Sequence, residues 1–213
     1  MDMTLTSRRI SNVAEPLVDC PLCADPFEQF EQWFARAQEI APTTADVMAL
    51  ATATRRGMPS VRYVLFKGIQ RGGFSFFTHY DSRKARDIAT NPVGALAFYW
   101  HRMQKQVRVE GKIVKLSAVE SKRYFRQRPR EKQIGAWASP QSEPIPSRMD
   151  LERRIRQMEE RFDGREVPLP PYWGGYALIP ESIEFWLGHH FRWHDRFLYT
   201  RSKTRWKIIR LAP

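Results

Sequence analysis

The sequence is short of acidic side chains and has no long hydrophobic run. Asp and Glu number 23 against 35 Lys and Arg, which leaves a formal net charge of +12. Such an excess predicts an anionic partner: a nucleic acid, an anionic membrane surface or a phosphorylated small molecule. No apolar segment approaches the ~20 residues that span a bilayer, and the N-terminal MDMTLTSRRISNVAEP has no apolar signal-peptide core. We therefore expect a cytoplasmic protein that has no membrane partner.

Cysteine is scarce, since the chain contains only Cys20 and Cys23. A structural zinc site needs two further ligands at motif spacing, and the sequence has no second such pair. The acids and the proline around the two residues indicate a loop and not a redox-active helix start. We expect two free thiols in a reducing compartment and no metal site.

Several enzyme signatures are also missing. The sequence contains no nucleophile elbow, no P-loop and no glycine-rich dinucleotide fingerprint. If the protein is an enzyme, a cofactor therefore performs the difficult chemistry. The length of 213 residues and the 42% hydrophobic content suit one domain with its own core. We expect a mobile N-terminal arm over residues 1–24 and a single domain over residues 25–213.

Strand-like runs separated by turn residues dominate the rest of the chain. They lie at residues 47–53, 60–67, 74–79, 93–100, 105–116, 174–180, 182–187, 196–201 and 206–211. We expect the second and third runs to pair as a hairpin, and the fourth and fifth to pair likewise. Most links are too short for crossover helices, which favours an antiparallel sheet closed into a barrel. The prediction is a mainly β protein with flanking helices.

Helix start signals appear at four positions. Asp25 precedes Pro26 and is followed three residues later by Glu28, which predicts an N-cap and a capping box. Ser82, Ser117 and Ser147 are N-caps of three further predicted helices. The first of these three carries Arg83 and Lys84 directly after its cap, and such a helix start can bind a phosphate.

The segment RYFRQRPREK is a second candidate anion site. Tyr124, Arg128 and Lys132 are four residues apart and would share one face of a continuous helix. Pro129 breaks such a helix, so we expect the helix to end near Arg128 and a basic loop to follow. A tyrosine hydroxyl with two cations suits a phosphate, although a solvated helix end also explains these residues.

The segment EFWLGHHFRWHDRFLY alternates aromatic rings with histidine and arginine. Arg192 and His194 are two residues apart, so in a strand they would project to one side. Trp186 can stack on a flat ring. A zinc site is disfavoured because familiar partner ligands are absent at the required spacing.

Several of these segments together resemble one family. RYVLFK, FFTHYDSRKARDI, QVRVEGK, YFRQRPREKQIGAWASPQS, PYWGGY, IEFW, RWHDRFLY and the final RLAP occur in order between Asp25 and Pro213. They resemble the pyridoxamine 5'-phosphate oxidase family. The resemblance implies a homodimer of FMN-binding split β-barrels with the flavin between the subunits. It implies oxidation of pyridoxamine or pyridoxine 5'-phosphate to pyridoxal 5'-phosphate, with O2 as the electron acceptor and hydrogen peroxide as a product.

The resemblance also assigns residues to roles. Contacts to FMN are implied at Arg62, Val64, Leu65, Phe77, Thr78, Ser82, Arg83, Lys84, Gln106, Gln141, Ser142, Trp186 and Arg196. A clamp for the substrate phosphate is implied at Lys67, Tyr124 and Arg128, with Lys132 beside them. Arg192 and His194 are implied as the catalytic pair that orients the pyridine ring of the substrate.

The chain departs from the family near the implied substrate. Lys132 stands where the family usually has serine, and Leu187 stands where it usually has glutamine. His189, His190, Phe191 and Trp193 are also unusual, and the N-terminal arm lacks the Arg-x-x-Tyr pattern. These changes motivate a second hypothesis, an oxidase of another aromatic compound, such as the phenazine-type enzymes. A nucleic-acid-binding protein and a carrier of FMN or B6 phosphate without turnover are further alternatives, although the cations occur at motif positions and not in tracts.

Overall fold

The computed structural model describes residues 22–203 and 205–213. Residues 1–21 of the predicted N-terminal arm, including Cys20, lie outside the described residues. The described chain is mainly β with flanking helices, as predicted. Its helices are α1 (Pro26–Ile40), α2 (Arg83–Thr90), α3 (Ala118–Arg126), α4 (Arg130–Ala138) and α5 (Arg148–Arg161). Its strands are β1 (Val47–Ala53), β2 (Pro59–Leu65), β3 (Ile69–Gln70), β4 (Gly73–His79), β5 (Val93–Trp100), β6 (Lys105–Lys115), β7 (Trp173–Leu187), β8 (Asp195–Ser202) and β9 (Arg205–Leu211).

The strands follow the order β2-β1-β5-β6-β7-β4-β3, and β8 pairs with β7 and β9. The pairing of β5 with β6 is as predicted. The predicted hairpin between the second and third runs is wrong, because β2 pairs antiparallel with β1 along its whole length. The short strand β3 forms the hairpin with β4 instead. Gly68 and Gly72, both with positive φ, frame β3 and supply the turns that this extra strand requires.

Two further element boundaries differ from the prediction. The runs at residues 174–180 and 182–187 are one continuous strand, β7. The basic loop predicted after Arg128 is helix α4, which starts directly after its N-cap, Pro129. Proline is excluded from helix interiors but tolerated at a helix start. Pro129 therefore separates α3 from α4. The same proline indicates the end of the first helix and the start of the second.

The helix caps follow the sequence closely, with two exceptions. The Asp25 side chain accepts a hydrogen bond from Phe27 N–H, without the capping box predicted for Glu28. Ser117 and Glu120 form a full capping box, and the Ser147 side chain accepts from Asp150 N–H. Ser82 is the N-cap residue of α2, but its side chain makes no capping bond.

The chain divides into two compact units. The larger unit comprises Asp46–Phe98 and Arg108–Ile183, and the smaller comprises Tyr99–Val107, Glu184–Pro213 and the described residues up to Ala45. A buried aromatic group lies in the larger unit, where the Phe66, Phe74 and Phe98 rings lie 5.7–6.2 Å apart. The single domain expected from the sequence stays a prediction.

The core of the smaller unit is also aromatic. The ring of Trp33 in α1 meets the ring of Phe185 edge-on at 5.2 Å, and Phe185 meets Tyr199 at 5.4 Å. Phe30 and Ala37 of α1 are also buried and lie on one apolar face of the helix. None of the described helices has the length and apolarity needed to cross a bilayer.

Candidate functional site

A cavity of about 820 Å³ opens in the larger unit. This volume lies within the usual range of small-molecule sites, about 300–1,000 Å³. Its walls come from β2, the end of β4, the start of α2, helices α3 and α4, and the chain after α4. The cavity brings together thirteen of the residues that the sequence singles out: Arg62, Val64, Leu65, Lys67, Phe77, Thr78, Arg83, Lys84, Tyr124, Arg128, Lys132, Gln141 and Ser142.

One end of the cavity is a hydrogen-bonded polar cluster around Lys84. The Lys84 ammonium donates to Thr78 Oγ1 at 3.1 Å, to Ser82 Oγ at 3.2 Å and to Gln141 Oε1 at 3.0 Å. Thr78 Oγ1 in turn donates to Gln141 Oε1 at 2.9 Å. The Ser82 hydroxyl therefore accepts a hydrogen bond from Lys84 and does not cap α2. The first N–H groups of that helix are left without a side-chain cap. An uncapped helix start beside cations suits an anion.

Arg62 stands next to this cluster on β2. Its guanidinium donates to Thr52 Oγ1 at 2.7 Å, to Ser60 Oγ at 2.6 Å and to the Leu50 carbonyl at 3.2 Å. The register of β1 and β2, with Leu50 opposite Arg62, explains these contacts. Asp87 approaches Arg62 at 3.9 Å and accepts a hydrogen bond from Thr52. Arg62 is therefore held rigidly, with a single carboxylate close by.

The charge in this cluster is costly without an anion. Burial, together with the nearby positive charge of Arg62, lowers the pKa of Lys84 to about 8. Burial also lowers the pKa of Arg62, an effect that Asp87 opposes and Arg83 reinforces. Both shifts have the sign expected where like charges are brought together away from water. A bound phosphate would reverse both effects.

A stack of aromatic rings forms another part of the wall. The Tyr124 ring lies 4.0 Å from the Phe77 ring, and the Phe77 ring lies 5.5 Å from Trp173. The Arg128 guanidinium lies 4.7 Å from the centre of the Trp173 ring. These distances are typical of stacked aromatic and cation–π contacts. Packing against Phe77 and Trp173 therefore holds the side chains of Tyr124 and Arg128 in fixed positions.

Arg128 has an unused donor. Its Nη1 atom is buried and has no hydrogen-bond partner among the described residues. Burial lowers the pKa of Arg128, although Tyr124 opposes the shift. An unpaired buried guanidinium nitrogen is costly and points to a missing anionic acceptor.

The turn between α3 and α4 fixes this arginine. The Gln133 side-chain amide donates to the backbone carbonyls of Phe125, Arg126 and Arg128 at 3.0–3.4 Å. It thereby ties α4 to the end of α3. Ile134 and Ala138 of α4 are buried, so the apolar segment IGAWA packs and holds the two polar ends of α4 at a fixed separation.

Lys67 and Lys132 complete the cationic wall. The Lys67 ammonium lies 2.7 Å from Asp46 Oδ2, an ion pair that the sequence does not reveal. Lys132 is exposed in the first turn of α4 and lines the same cavity as Arg128.

His79 is a cavity residue that reasoning from the sequence missed. Its ring stacks on Tyr172 at 4.5 Å, and its Nδ1 atom accepts a hydrogen bond from Asp81 N–H at 3.1 Å. The neutral ring therefore carries its proton on Nε2. Burial lowers the pKa of His79, as does Lys84, while Asp81 opposes the shift. The sequence indicates this role only through the position of His79, which directly follows Thr78 at the end of a predicted strand.

Five predicted residues belong to the smaller unit and do not line this cavity: Gln106, Trp186, Arg192, His194 and Arg196. The His194 ring lies 4.6 Å from the Trp186 ring, and His194 Nδ1 accepts a hydrogen bond from His189 N–H at 3.1 Å. The Arg196 guanidinium pairs with Glu184 at 2.8 Å, and this hydrogen bond raises its pKa.

The strand predicted for Arg192 and His194 is wrong. Arg192 closes a 3-10 turn over His190–Arg192 and has a positive φ of 64°, and His194 precedes β8. The adjacent glycine and histidines favour a turn over a strand. Leu187, one of the departures from the family, is fully buried and is a core residue. In contrast, Phe191 and Trp193 are 85% and 76% exposed.

Family models match most of the chain. Residues 34–162 match the model described as pyridoxamine 5'-phosphate oxidase. Residues 173–213 match the C-terminal dimerisation region of pyridoxine 5'-phosphate oxidase. The second match supports a homodimer.

Curated relatives agree with these models. A pyridoxine/pyridoxamine 5'-phosphate oxidase of Rubrobacter xylanophilus is 52% identical over 189 residues, which cover 89% of this chain and 87% of the relative. A protein of the same name from Burkholderia orbicola is 49% identical and covers 99% of both chains.

The solved structures include one with high similarity. The structure of PhzG from Burkholderia lata, in complex with tetrahydrophenazine-1-carboxylic acid, has a TM-score of 0.86 at 30% identity. The match covers 94% of this chain and 98% of PhzG. The matches to the family model and to the curated relatives decide the assignment: this chain belongs to the pyridoxamine 5'-phosphate oxidase family, whose members are FMN-dependent oxidoreductases.

Proposed function

We propose that the protein oxidises pyridoxamine 5'-phosphate or pyridoxine 5'-phosphate to pyridoxal 5'-phosphate, using FMN and transferring the electrons to O2. The observation that carries the proposal is the presence of two cation groups in one cavity. One group surrounds Lys84, and the other contains Arg128 with its unpaired Nη1. Two phosphorylated ligands, a cofactor and a substrate, account for both groups.

The residues around Lys84 fit the phosphate of FMN. Arg62, Arg83 and Lys84 supply positive charge that Asp87 alone does not balance, and the start of α2 adds N–H donors. Thr78 and Ser82 offer hydroxyl groups, and Gln141 offers an amide. Val64, Leu65 and Phe77 provide apolar wall for the flavin ring system. Ser142 lines the cavity beside Gln141, and we assign it to the same ligand.

The second group fits the substrate phosphate. Arg128 offers the unpaired Nη1 donor, and Lys67, Lys132 and Tyr124 line the same cavity. A planar guanidinium that is already packed on Trp173 loses little conformational freedom on binding an anion. Because both phosphates are held by rigid groups, the two ligands are oriented relative to each other.

Arg192 and His194 are the proposed catalytic pair. His189 N–H donates to His194 Nδ1, so in the neutral ring the proton resides on Nε2 and can be donated to a substrate oxygen or nitrogen. Both residues belong to the region that matches the dimerisation model. We therefore propose that the flavin lies at the subunit interface, where Gln106, Trp186 and Arg196 also contact it.

Bound FMN would supply the redox chemistry, taking two electrons from the substrate as hydride and passing them to O2, which becomes hydrogen peroxide. The side chains of this protein bind both phosphates and orient the pyridine ring. With pyridoxamine 5'-phosphate as substrate, water supplies the aldehyde oxygen and the amino group leaves as ammonia.

Steady-state assays test the proposal. We expect the FMN-loaded protein to form pyridoxal 5'-phosphate and hydrogen peroxide from one or both B6 phosphates, in equal amounts. The dephosphorylated vitamers should react at least tenfold less efficiently, because each lost charge-assisted hydrogen bond is worth about 1.5–3 kcal/mol. Absence of oxygen consumption with both B6 phosphates would contradict the proposal.

A second candidate function is oxidation of a different aromatic compound. The similarity to PhzG and the exposed Phe191 and Trp193 beside Arg192 favour it. An oxygen-uptake screen with non-phosphorylated aromatic acids separates the two functions. Under the second function, an Arg128→Met variant keeps its activity, whereas under the first it loses most of it.

A further inference from the structure

We infer that Asp46 is a positioning residue that holds Lys67 ready for the substrate phosphate. The inference rests on the proposed function, since it concerns the same phosphate site. Asp46 belongs to none of the motifs that carry the family resemblance. It immediately precedes β1, and its carboxylate does not itself line the cavity.

The strand register brings the two side chains together. Val47 lies opposite Leu65 in the pairing of β1 and β2. The pairing continues one step further, because Phe66 N–H donates to the Asp46 carbonyl at 2.8 Å. Lys67 follows Phe66 directly beyond the end of β2 and is therefore a diagonal neighbour of Asp46. Its ammonium lies 2.7 Å from Asp46 Oδ2. Cross-strand neighbours of opposite charge commonly stabilise such an arrangement.

The backbone of Lys67 is fixed as well. Its N–H donates to the Ser75 carbonyl at 2.9 Å, and its own carbonyl accepts a hydrogen bond from the Gln70 side chain at 3.3 Å. With the backbone held, only the side-chain torsions of Lys67 remain to be ordered. The ion pair with Asp46 orders them, which removes most of the rotamer entropy that a lysine otherwise loses on binding.

Asp46 leaves Lys67 able to bind an anion. An ammonium group has three N–H donors. Among the described residues, its recorded partner is Asp46 alone, so donors remain for a phosphate. The carboxylate lies behind the lysine and not in the cavity, so the phosphate need not displace it. Lys132 lines the same cavity and is exposed, and no carboxylate of the described residues pairs with it, so it contributes charge without fixed geometry.

The opposite role for Asp46 is that of a competitor. A carboxylate bound to Lys67 would then have to give up the ammonium when the substrate arrives. Removal of that carboxylate would tighten phosphate binding, whereas removal of a positioning residue weakens it. The two roles therefore predict opposite changes in KM.

A double-mutant cycle tests the inference on the FMN-loaded protein. The variants are Asp46→Ala, Lys67→Ala, the double variant and Asp46→Asn, with Glu166→Ala as the control for loss of a carboxylate that is paired with an arginine outside the cavity. We expect Asp46→Ala to raise KM for pyridoxine 5'-phosphate about tenfold, with kcat within twofold of the starting protein. The double variant should match Lys67→Ala within twofold, because Asp46 acts only through Lys67. Asp46→Asn, which can still accept a hydrogen bond, should recover part of the loss.

Binding of pyridoxal 5'-phosphate, measured by equilibrium dialysis, gives a second readout that needs no turnover. The Kd values should follow the same cycle, while the Kd for FMN stays unchanged in every variant. An unchanged or lowered Kd in Asp46→Ala, or additive effects of the two substitutions, would overturn the inference. If the starting protein binds pyridoxal 5'-phosphate but turns over neither B6 phosphate, the proposed function fails and the binding cycle still decides the role of Asp46.

Discussion

Several cationic side chains in the cavity carry charge that their neighbours do not neutralise. Lys84 donates to three oxygen acceptors, and no carboxylate of the described residues is in direct contact with it. Arg128 is packed on aromatic rings with one nitrogen unpaired. An anion bound beside either group would offset the cost of burying its charge. Ligand affinity and the stability of the ligand-free protein should therefore change in opposite directions when these residues are altered.

The lowered pKa of Lys84 predicts a pH dependence of FMN binding. A folded pKa of about 8 lies below the ordinary lysine value of 10.5, so between these values the unfolded chain binds more protons. The stability of the ligand-free protein should therefore rise with pH through this window. FMN favours protonated Lys84, so its affinity should fall as the pH rises above 8. Flavin fluorescence titrations between pH 7 and 9.5 measure this fall.

A Lys84→Met variant is the control for the pH effect. It should bind FMN more weakly at pH 7 and lose the dependence around pH 8. If the starting protein binds FMN equally well from pH 7 to 9.5, the assignment of Lys84 to the FMN phosphate is wrong.

Replacement of Arg128 by methionine should separate stability from function. The change removes a buried charge with an unpaired donor, so the melting temperature of the ligand-free protein should stay the same or rise. KM for pyridoxine 5'-phosphate should rise about 10- to 100-fold, which corresponds to the loss of about 1.5–3 kcal/mol of charge-assisted hydrogen bonding. Arg126→Met, which removes an exposed arginine paired with Glu166, should change neither quantity. A large loss of stability in Arg128→Met would show that the arginine is structural.

Some of these residues could be predicted from the sequence and others could not. A recognisable helix start contains Ser82, Arg83 and Lys84. Helical spacing relates Tyr124 to Arg128. The partners Asp46 and Asp87 could not be found in this way. Each reaches its cation through strand pairing or helix packing, from 21 and 25 residues away. Contacts of this kind depend on register, and register is not visible in local patterns.

Two glycines in β7 pair with the part of β4 that lines the cavity. Gly174 and Gly175 lie opposite Thr78 and Phe77 of β4. A Cβ atom at Gly174 would lie 2.1 Å from the Tyr80 hydroxyl and 2.9 Å from Ser121 Oγ. Gly174 therefore lets β7 lie close to Tyr80, which directly follows β4, and to Ser121 of α3.

Alanine substitutions at two glycines should have opposite effects on stability. Gly174→Ala should lower the free energy of unfolding by about 1–3 kcal/mol, because the tightly packed neighbours must move. Gly135→Ala lies in α4, where a Cβ atom meets nothing within 4 Å. It should raise the free energy of unfolding by up to about 1 kcal/mol through helix propensity. Urea denaturation of the ligand-free protein measures both. Equal effects at the two positions would contradict the packing described for β7.

Helix α4 shows where reasoning about elements was wrong. Pro129 predicted the end of α3, and α3 does end at Arg126. The same proline then starts α4, in which the buried residues Ile134 and Ala138 lie four apart. Two buried positions over nine residues give only a weak helical period, so the sequence pattern did not predict this helix. Tertiary contacts, such as the hydrogen bond from Gln133 to α3, stabilise it instead.

For the molecule as a whole, the overall class was predictable from short links and alternating strands, but the topology was not. Local runs located most strands within one or two residues. Pairing over long sequence separations, such as β4 with β7, joins segments about 100 residues apart. The division of predicted site residues between two units follows from that topology. Arg192 and His194 belong to the smaller unit, whereas the proposed phosphate-binding residues line the cavity of the larger unit.

An anaerobic titration of the FMN-loaded protein is the most direct test of the central claim, that one cavity holds FMN and a phosphorylated B6 substrate for hydride transfer. Without O2, addition of pyridoxine 5'-phosphate should bleach the visible flavin band in proportion to the substrate added. Admission of O2 should restore the band. Unphosphorylated pyridoxine at the same concentration should leave it largely unchanged. A flavin band that persists with both B6 phosphates, or that bleaches equally with unphosphorylated pyridoxine, would contradict the account.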